Sequence, residues 1–195
     1  MQNNVISFLQ TRRSVVAKKM LPVEPSQSDL DAIIDCGLRV PDHSNVQPWQ
    51  IVVLQGESRK QFDEQVVLSA AQADTTEPLT DMQQQLECTR MQRSGVVIAV
   101  LSTPTSPHKI PVWEQQASAA AVCTHLLLAA QSLDYAAQWI TEWLADHKSI
   151  ITALGGDPAT DRVAGFIHIG KKQEEPTERK RPVREEKLTY WQLQT

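Results

Sequence analysis

The sequence is poor in glycine and cysteine, and these scarcities exclude several kinds of site. Its 195 residues include only seven glycines and three cysteines. No G-x-G-x-x-G or G-x-x-x-x-G-K array occurs, so the glycine-rich loops of Rossmann dehydrogenases and simple ATPases are absent. Cys36, Cys88 and Cys123 are odd in number and far apart, which favours reduced thiols over a disulfide framework or a metal site.

Long apolar runs and a strong charge of either sign are also missing. The formal net charge of −4 provides no basic field for a nucleic acid. The longest mostly apolar stretch, 117–130, is shorter than the roughly 20 residues that span a bilayer. Residues 1–9 lack the cationic start and long apolar centre of a signal peptide. We therefore expect a cytoplasmic protein whose partners are neither nucleic acids nor membranes.

Hydrolase and zinc motifs are absent as well. Neither G-x-S-x-G nor H-E-x-x-H occurs, and the five histidines are scattered. His125 falls within a predicted helix and His168 within a predicted strand, where a structural role is the more common one. His43 differs, because it lies in a polar loop. We expect no metal site.

What is present predicts one globular domain over residues 1–195, since 41% of the residues are apolar and 22% are charged. An apolar stripe over 5–9 indicates a first helix, and Ser26 with Asp29 resembles a capping box that opens a second. The pattern then predicts helices over 57–71, 81–93, 112–133 and 146–154 and strands over 51–54, 96–101, 137–141 and 163–169.

Two of these elements carry further expectations. The continuous apolar strand 51–54 is of the kind that is buried on both faces. The helix 112–133 is apolar nearly all round, so we expect it at the centre of the fold or at a subunit contact. The tail 171–195 is strongly charged and then ends in Leu188, Tyr190, Trp191 and Leu193, which suggests an arm lying on a partner subunit. Strands separated by helices favour an α+β or three-layer α/β fold.

Polar and cationic groups gather at three places. The segment RVPDHSNVQPWQ, 39–50, leads into the first apolar strand, Arg12-Arg13-Ser14 follows the first helix, and Arg179-Lys180-Arg181 lies in the tail. Each cationic cluster alone is more typical of a solvated surface or a helix end. Together with the loop they suggest an anionic, planar, polar ligand. Flavin mononucleotide (FMN) has this chemistry, because its phosphate suits guanidinium groups and a hydroxyl, and its ring edge suits amides.

Five stretches, in this order, resemble the flavin-dependent nitroreductase family, and in particular its compact, single-domain members. They are RRS, RVPDHSNVQPWQIVVL, HKIPVWEQQASAAAV, AAQWITEWL and VAGFIHIGKKQEEPTERKRP. The pattern P-x-x-x-N-x-Q-P-W after an early R-R-S is moderately specific, and the five stretches together cover nearly the whole chain.

The resemblance implies an α+β fold of three α/β/α layers with a mixed, mostly antiparallel sheet. It also implies an intertwined homodimer, with the long helix at the contact and two FMN sites built from both chains. Arg12, Arg13 and Ser14 match the family segment that holds the phosphate and ribityl chain, and Arg179 and Arg181 match a basic pair that reaches the phosphate. The residues that match the flavin-ring contacts are Arg39, Asp42, His43, Ser44, Asn45 and Gln47 from the other chain and Trp139, Ile140 and Thr141. Pro48 and Trp49 are expected to anchor the loop to the core.

The activity that the resemblance implies is FMN-dependent oxidoreduction in a ping-pong sequence. NADH or NADPH reduces the flavin at N5, and a nitroaromatic, quinone or related acceptor then takes two electrons. No side chain is expected to be catalytic, because the cofactor carries the hydride. Two alternatives are a flavin-binding storage or sensing protein without turnover and a structural domain without a cofactor.

The sequence departs from the family pattern at two places. Many relatives carry a lysine near flavin N1 where this chain has Val16, and Arg39 or His43 could supply that charge instead. Asp134, Ala136 and Glu142 stand where many relatives have glycine. A carboxylate close to the flavin would oppose its reduction, so we expect Glu142 to face solvent.

Overall fold

A computed structural model of the chain describes residues 4–192, and an antiparallel sheet lies at its centre. The strands are β1 (Met20–Leu21), β2 (Trp49–Gln55), β3 (Val96–Ser102), β4 (Ala136–Ile140) and β5 (Arg162–Lys172). β3 lies between β2 and β5. The other side of β5 pairs with β4 along Phe166–Gly170 and with β1 at Lys171–Lys172. All four pairings are antiparallel, which agrees with the expected mostly antiparallel sheet.

The position of each strand in the sheet decides its burial. β3 has a strand on either side and helices over both faces, so all seven of its residues are buried. β2 lies at the edge, and Leu54 is its one buried residue. Val52 packs against one core and Val53 against the other, yet both remain partly exposed. The expectation that strand 51–54 is buried on both faces therefore holds only in part: both faces are packed, but the strand stays partly exposed because an edge strand has a neighbour on one side only.

The helices are α1 (Asn4–Thr11), α2 (Gln27–Gly37), α3 (Glu57–Phe62), α4 (Leu68–Ala73), α5 (Asp81–Glu87), α6 (Val112–Ser132) and α7 (Lys148–Ala153). They cover both faces of the sheet. On one face Ile98 and Val100 of β3 pack with α2 and α6, and on the other Val97 and Leu101 pack with α3, α7 and their connections. This alternation along one strand produces the expected three layers.

Two predicted helices are shorter or less regular than expected. The predicted helix 57–71 is interrupted by a π-helical turn, Asp63–Val67, between α3 and α4. The predicted helix 81–93 ends at Glu87, and 91–93 form a separate 3-10 turn. One interaction links the two irregularities: the buried Asp63 carboxylate accepts hydrogen bonds from the backbone N–H of Met91 at 2.9 and 3.0 Å. A helix that ran on through Met91 would use that N–H internally.

The long helix α6 agrees closely with its prediction. Its sheet-facing side, which includes Val122, Cys123 and Leu126, is fully buried, whereas Trp113 is 68% exposed and Ala117 and Thr124 are also exposed. No helix among the described residues is both long and apolar enough to cross a membrane.

The tail leaves the sheet after Lys172, so the first two residues of the predicted arm 171–195 belong to β5. Its apolar end is open to solvent within one chain, with Tyr190 76% and Trp191 81% exposed. Leu193 lies outside the described residues. That the arm packs on a partner subunit remains a prediction.

Candidate functional site

The basic segment after α1 is held by the last full turn of α6. Arg12 donates from Nε to Gln131 Oε1 at 3.0 Å and from Nη2 to Ser14 Oγ at 3.3 Å. Gln131 in turn donates to the backbone carbonyl of Arg13 at 2.9 Å. A glutamine inside a helix carries no signal for such a role in the sequence, so Gln131 was missed there. The three predicted residues Arg12, Arg13 and Ser14 are thus fixed relative to one another.

The same segment continues alongside β4. The backbone N–H of Val15 donates to the carbonyl of Ala137 at 3.2 Å, and that of Ala17 donates to Gln138 Oε1 at 2.6 Å. Val15 and Ala17 are buried, and Ile140 packs against them. The chain therefore places the predicted phosphate-binding residues beside the strand that carries Trp139 and Ile140.

The tail returns to this place and brings Arg181 with it. Glu178 lies between the two cationic clusters, at 3.8 Å from Arg13 and 3.0 Å from Arg181. Arg13 also donates to the carbonyl of Thr177. Burial, with the nearby charges of Arg181 and Arg13, lowers the pKa of Arg12. The structure thus joins residues from both ends of the chain into one cationic site.

For Arg179 the structure shows a backbone contact at this site, and that its side chain reaches the phosphate remains a prediction. Its backbone N–H donates to Glu178 Oε1 at 2.9 Å, and this bond, followed by the charges of Arg181 and Arg13, lowers the pKa of Glu178. The residue itself is exposed.

Two cavities adjoin the cationic site. One, of about 340 Å³, is lined by Arg12, Arg13, Gln131 and Lys172 among others. The other, of about 220 Å³, is lined by Arg13, Ser14, Val16 and Lys19 among others. Guanidinium groups and a hydroxyl are the hydrogen-bond donors that suit a phosphate monoester, and the cavities supply the space for it. Val16 is half exposed, and Lys19, which pairs with Glu174 at 2.6 Å, lines the same cavity.

The loop that leads into β2 is built on its own polar side chains. Asp42 Oδ2 accepts from the backbone N–H of Gln47 at 2.6 Å, and Gln47 donates from Nε2 to Asn45 Oδ1 at 3.1 Å. Ser44, Asn45 and Gln47 have positive φ, a conformation uncommon for residues with a side chain. The side chains of Arg39, His43, Ser44, Asn45 and Gln47 remain exposed and Asp42 is half-buried.

Contacts with the core and with α6 hold this loop in place. Pro48 is buried and its carbonyl accepts from Thr103 at 2.9 Å, and Trp49 Nε1 donates to Ser118 Oγ at 3.3 Å. The expected anchoring role of Pro48 and Trp49 is therefore confirmed. His43 Nδ1 lies 2.7 Å from Glu114 Oε2 in the first turn of α6.

One chain does not bring the loop and the cationic site together. The loop contacts α6 at Ser118, and the cationic site contacts it at Gln131. Thirteen residues of helix separate these contacts, which is roughly 20 Å along the helix axis. Within one chain, therefore, the predicted ring-binding loop and the predicted phosphate-binding residues lie toward opposite ends of α6.

The segment that follows β4 has its own cavity. Trp139 Nε1 donates to the carbonyl of Ala164 at 3.0 Å, and its indole lies directly over Gly165. Thr141 is exposed and lines a cavity of about 640 Å³ together with Ser102 and Glu142. Within the described part of the chain, the buried Ser102 Oγ has no hydrogen-bond partner. A buried, unpaired hydroxyl thus lies next to the predicted ring-binding segment.

Glu142 itself is one of the residues that line this cavity. Its side chain is 45% exposed and forms an ion pair with Arg90. Glu142 is thus half exposed but also lines the cavity, so the expectation that it faces solvent holds only in part, and Arg90 is a neighbour that sequence reasoning missed. No group of His, Cys, Asp and Glu that could hold a metal ion occurs in residues 4–192.

Comparison with known proteins adds to this geometry. The model of the Nitroreductase family matches residues 9–171. An Escherichia coli K12 protein named "Putative NAD(P)H nitroreductase YdjA" is 27% identical over 170 residues, which cover 87% of this chain and 89% of that protein.

Solved structures share the fold. A nitroreductase-like family protein from Bacillus cereus superposes with a TM-score of 0.80 at 20% identity, covering 97% of each chain. A nitroreductase with bound FMN from Bacteroides fragilis gives a TM-score of 0.69 at 18% identity, covering 98% of this chain and 100% of the other. The three-layer architecture described above is thus shared with both structures.

Proposed function

Because the chain belongs to the nitroreductase family, we propose that it is an FMN-dependent oxidoreductase that transfers two electrons from NADH or NADPH to a nitroaromatic, quinone or related acceptor. The observation that carries the proposal is the cationic site, in which Arg12, Arg13 and Ser14 meet Arg181 from the far end of the chain. Like charges disfavour one another unless a counter-charge is present, so this meeting of cations suits an anionic cofactor.

The phosphate of FMN would be held by Arg12, Arg13, Ser14 and Arg181. Arg12 is already oriented by Gln131 and Ser14, so little side-chain entropy is lost when it meets the ligand. Glu178 competes with the phosphate at this site, since it pairs with Arg13 and Arg181, and Glu174 and Glu175 also line the adjoining cavities. We infer that the phosphate replaces Glu178 as the partner of at least one of these guanidinium groups.

The site would be completed by a second copy of the chain. In a two-fold dimer with α6 packed antiparallel on its copy, the Ser118 end of one helix lies near the Gln131 end of the other. Such a pairing places the loop residues Arg39, Asp42, His43, Ser44, Asn45 and Gln47 of one protomer near the cationic site of its partner. The exposed outer face of α6, with Trp113, Ala117 and Thr124, and the exposed apolar end of the tail support this homodimer.

FMN, when bound, supplies the two-electron chemistry between the nicotinamide and the acceptor. The chain's own residues position and tune it. Trp139, Ile140 and Thr141 would line one edge of the ring, and the partner's loop would offer amide and hydroxyl groups to the other edge. Since one cleft seats both substrates in turn, no catalytic side chain is assigned. The three free cysteines fit the cytoplasmic location that we propose.

The decisive experiment is anaerobic titration of the FMN-loaded protein with NADH and with NADPH, followed by reoxidation with nitroarenes, quinones and enals. Bleaching of the flavin absorbance by either nucleotide, and its recovery on addition of an acceptor, is the expected result. Full FMN occupancy without oxidation of NADH or NADPH would instead indicate a storage or sensing protein. Failure to bind FMN at all would refute the proposal.

A further inference from the structure

A buried ion-pair cluster holds the segment that follows β4. Arg90 is 9% exposed and donates from Nη2 to Glu87 Oε1 at 2.8 Å, while Nε and Nη1 reach Glu87 Oε2 and Glu142 Oε2. The Arg90 guanidinium also lies 5.8 Å from the centre of the Trp143 ring. One side chain thus ties the end of α5 to Glu142 and Trp143, which follow β4.

The backbone of Glu142 is in an unusual conformation that the ion pair with Arg90 helps to maintain. With φ 51° and ψ −162°, Glu142 occupies a region that is adopted almost only by glycine. Residues with a side chain stay in such a region only when their surroundings hold them there. Thr141 and Glu142 line the cavity beside the predicted ring-binding segment, so the direction of the Glu142 carboxylate decides whether that cavity contains a negative charge.

We propose that Arg90 is a positioning residue for the redox site: it holds the Glu142 carboxylate in place at the wall of the cavity and offsets part of its charge, so that this carboxylate opposes electron transfer to the cofactor less. The inference rests on the proposed function, because it assumes FMN beside Thr141. An uncompensated carboxylate near a ring that gains negative charge raises the free energy of the reduced state, and partial burial strengthens the effect.

Arg90 is suited to this role by its fixed charge and two-sided contacts. Its contacts to Glu87 and Glu142 outweigh the effect of burial and raise its pKa, so it stays protonated. Glu87 is buried and engages two nitrogens of the guanidinium, which leaves the third for Glu142. A lysine could not reach both carboxylates with the same geometry.

The test compares Arg90→Met, Glu142→Gln and the double variant, each loaded with FMN, by midpoint potential and by FMN dissociation constant. Arg90→Met is expected to lower the equilibrium constant for two-electron reduction of the flavin about tenfold. This corresponds to a fall in midpoint potential of roughly 30 mV. Adding Glu142→Gln in that background should recover most of the loss. Glu142→Gln alone should raise the potential slightly, because Arg90 is already engaged by Glu87 and offsets the charge of Glu142 only in part.

Arg59→Met is the matched control, since Arg59 is also largely buried and ion-paired, but its partner Glu24, at 3.3 Å, does not line the cavity as Glu142 does. It should lower the unfolding temperature without moving the potential. A folded, FMN-loaded Arg90→Met variant with the wild-type potential would overturn the inference, as would a loss that Glu142→Gln does not recover.

Should Arg90→Met fail to fold, Arg90→Gln takes its place: a fall in potential that Glu142→Gln recovers supports the inference, and an unchanged potential refutes it. If the wild-type protein does not bind FMN at all, the proposed function itself is refuted.

Discussion

At the scale of single residues, the arginines of the cationic site repel one another, and a bound anion would reduce this repulsion. Arg12 is partly buried beside Arg13 and Arg181, and these neighbours with burial lower its pKa. Like charges held this close disfavour one another unless a counter-charge is present. Glu178 supplies one carboxylate from the tail. A phosphate carries more charge and more acceptor oxygens than that carboxylate, so it is the better partner.

Replacement of Arg12 by Ala should weaken FMN binding. The lost charge-assisted hydrogen bond is worth about 1.5–3 kcal/mol, which raises the dissociation constant roughly ten- to a hundredfold. Titration of FMN fluorescence against the apoprotein measures the change. Lys60→Ala, which removes an exposed cation from α3, serves as the control and should bind FMN as the wild type does. Wild-type affinity in Arg12→Ala would show that the phosphate lies elsewhere.

The buried His168 makes stability depend on pH. Burial, and to a lesser degree the charge of Arg93, lowers its pKa from 6.5 to about 3. The folded state therefore keeps His168 neutral where the unfolded chain is protonated, so the unfolding free energy falls as pH drops from 6.5 to 3. The slope from this group approaches about 1.4 kcal/mol per pH unit within that window.

Urea unfolding of wild type and His168→Gln at several pH values between 7 and 4 measures that contribution. The variant should be less stable at pH 7, because the 3.0 Å contact of His168 with Ser94 is altered, but its stability should decline less on acidification. Equal slopes for the two proteins would mean that His168 is not the group that titrates.

At the scale of elements, the packing of β4 on β5 sets the position of a predicted ring-binding residue. A side-chain carbon at Gly165 would lie 2.0 Å from Trp139 Nε1, closer than any real contact. The absence of a side chain at Gly165 is what allows the indole to cross β5 and donate to the carbonyl of Ala164. The sequence marks Trp139 as a site residue, but its support comes from a neighbouring strand.

Gly165→Ala should therefore displace Trp139 and destabilise the protein by about 1–3 kcal/mol through overpacking. Thermal unfolding measures the loss of stability, and FMN titration tests whether displacement of the indole weakens cofactor binding. Adding Trp139→Leu should relieve the clash and recover part of the stability. If Gly165→Ala is as stable as the wild type, the indole does not rest on Gly165 in solution.

At the scale of the whole molecule, the length of α6 separates two parts of the proposed site. The helix contacts the β2 loop at Ser118 and the cationic site at Gln131. A single chain therefore presents each half of the site without its complement. The proposed homodimer would resolve this separation, and it would also cover the outer face of α6, which is exposed in one chain.

Ala117→Lys should separate the protomers and release FMN together. Ala117 is exposed within one chain, so the new side chain leaves the fold intact, but a buried charge at the α6 contact is costly. Sedimentation velocity with detection of the flavin absorbance reports mass and cofactor at once. Met82→Lys, on the exposed surface of α5, is the control and should stay dimeric and loaded. Monomers that retain FMN would contradict a site shared between chains.

Local patterns predicted the elements whose causes are local. Ser26 caps α2 by accepting from the backbone N–H of Asp29 at 3.2 Å, as the spacing of these two residues indicates. The apolar pattern of 112–133 predicted α6 to within a residue. The π-helical turn at Asp63 and the early end of α5 could not be predicted, because both depend on a hydrogen bond between residues 28 positions apart.

By itself, the sequence determined which chemical groups are available and where most helices and strands form. Periodicity, capping and the polar loop all depend on residues that are close together in the chain. Only the tertiary structure decided which groups meet. It made β2 an edge strand, joined Arg181 to Arg12, and set Gln131 and Arg90 as the supports of distant side chains. These outcomes depend on packing between segments far apart in the chain, and no local pattern encodes such distances.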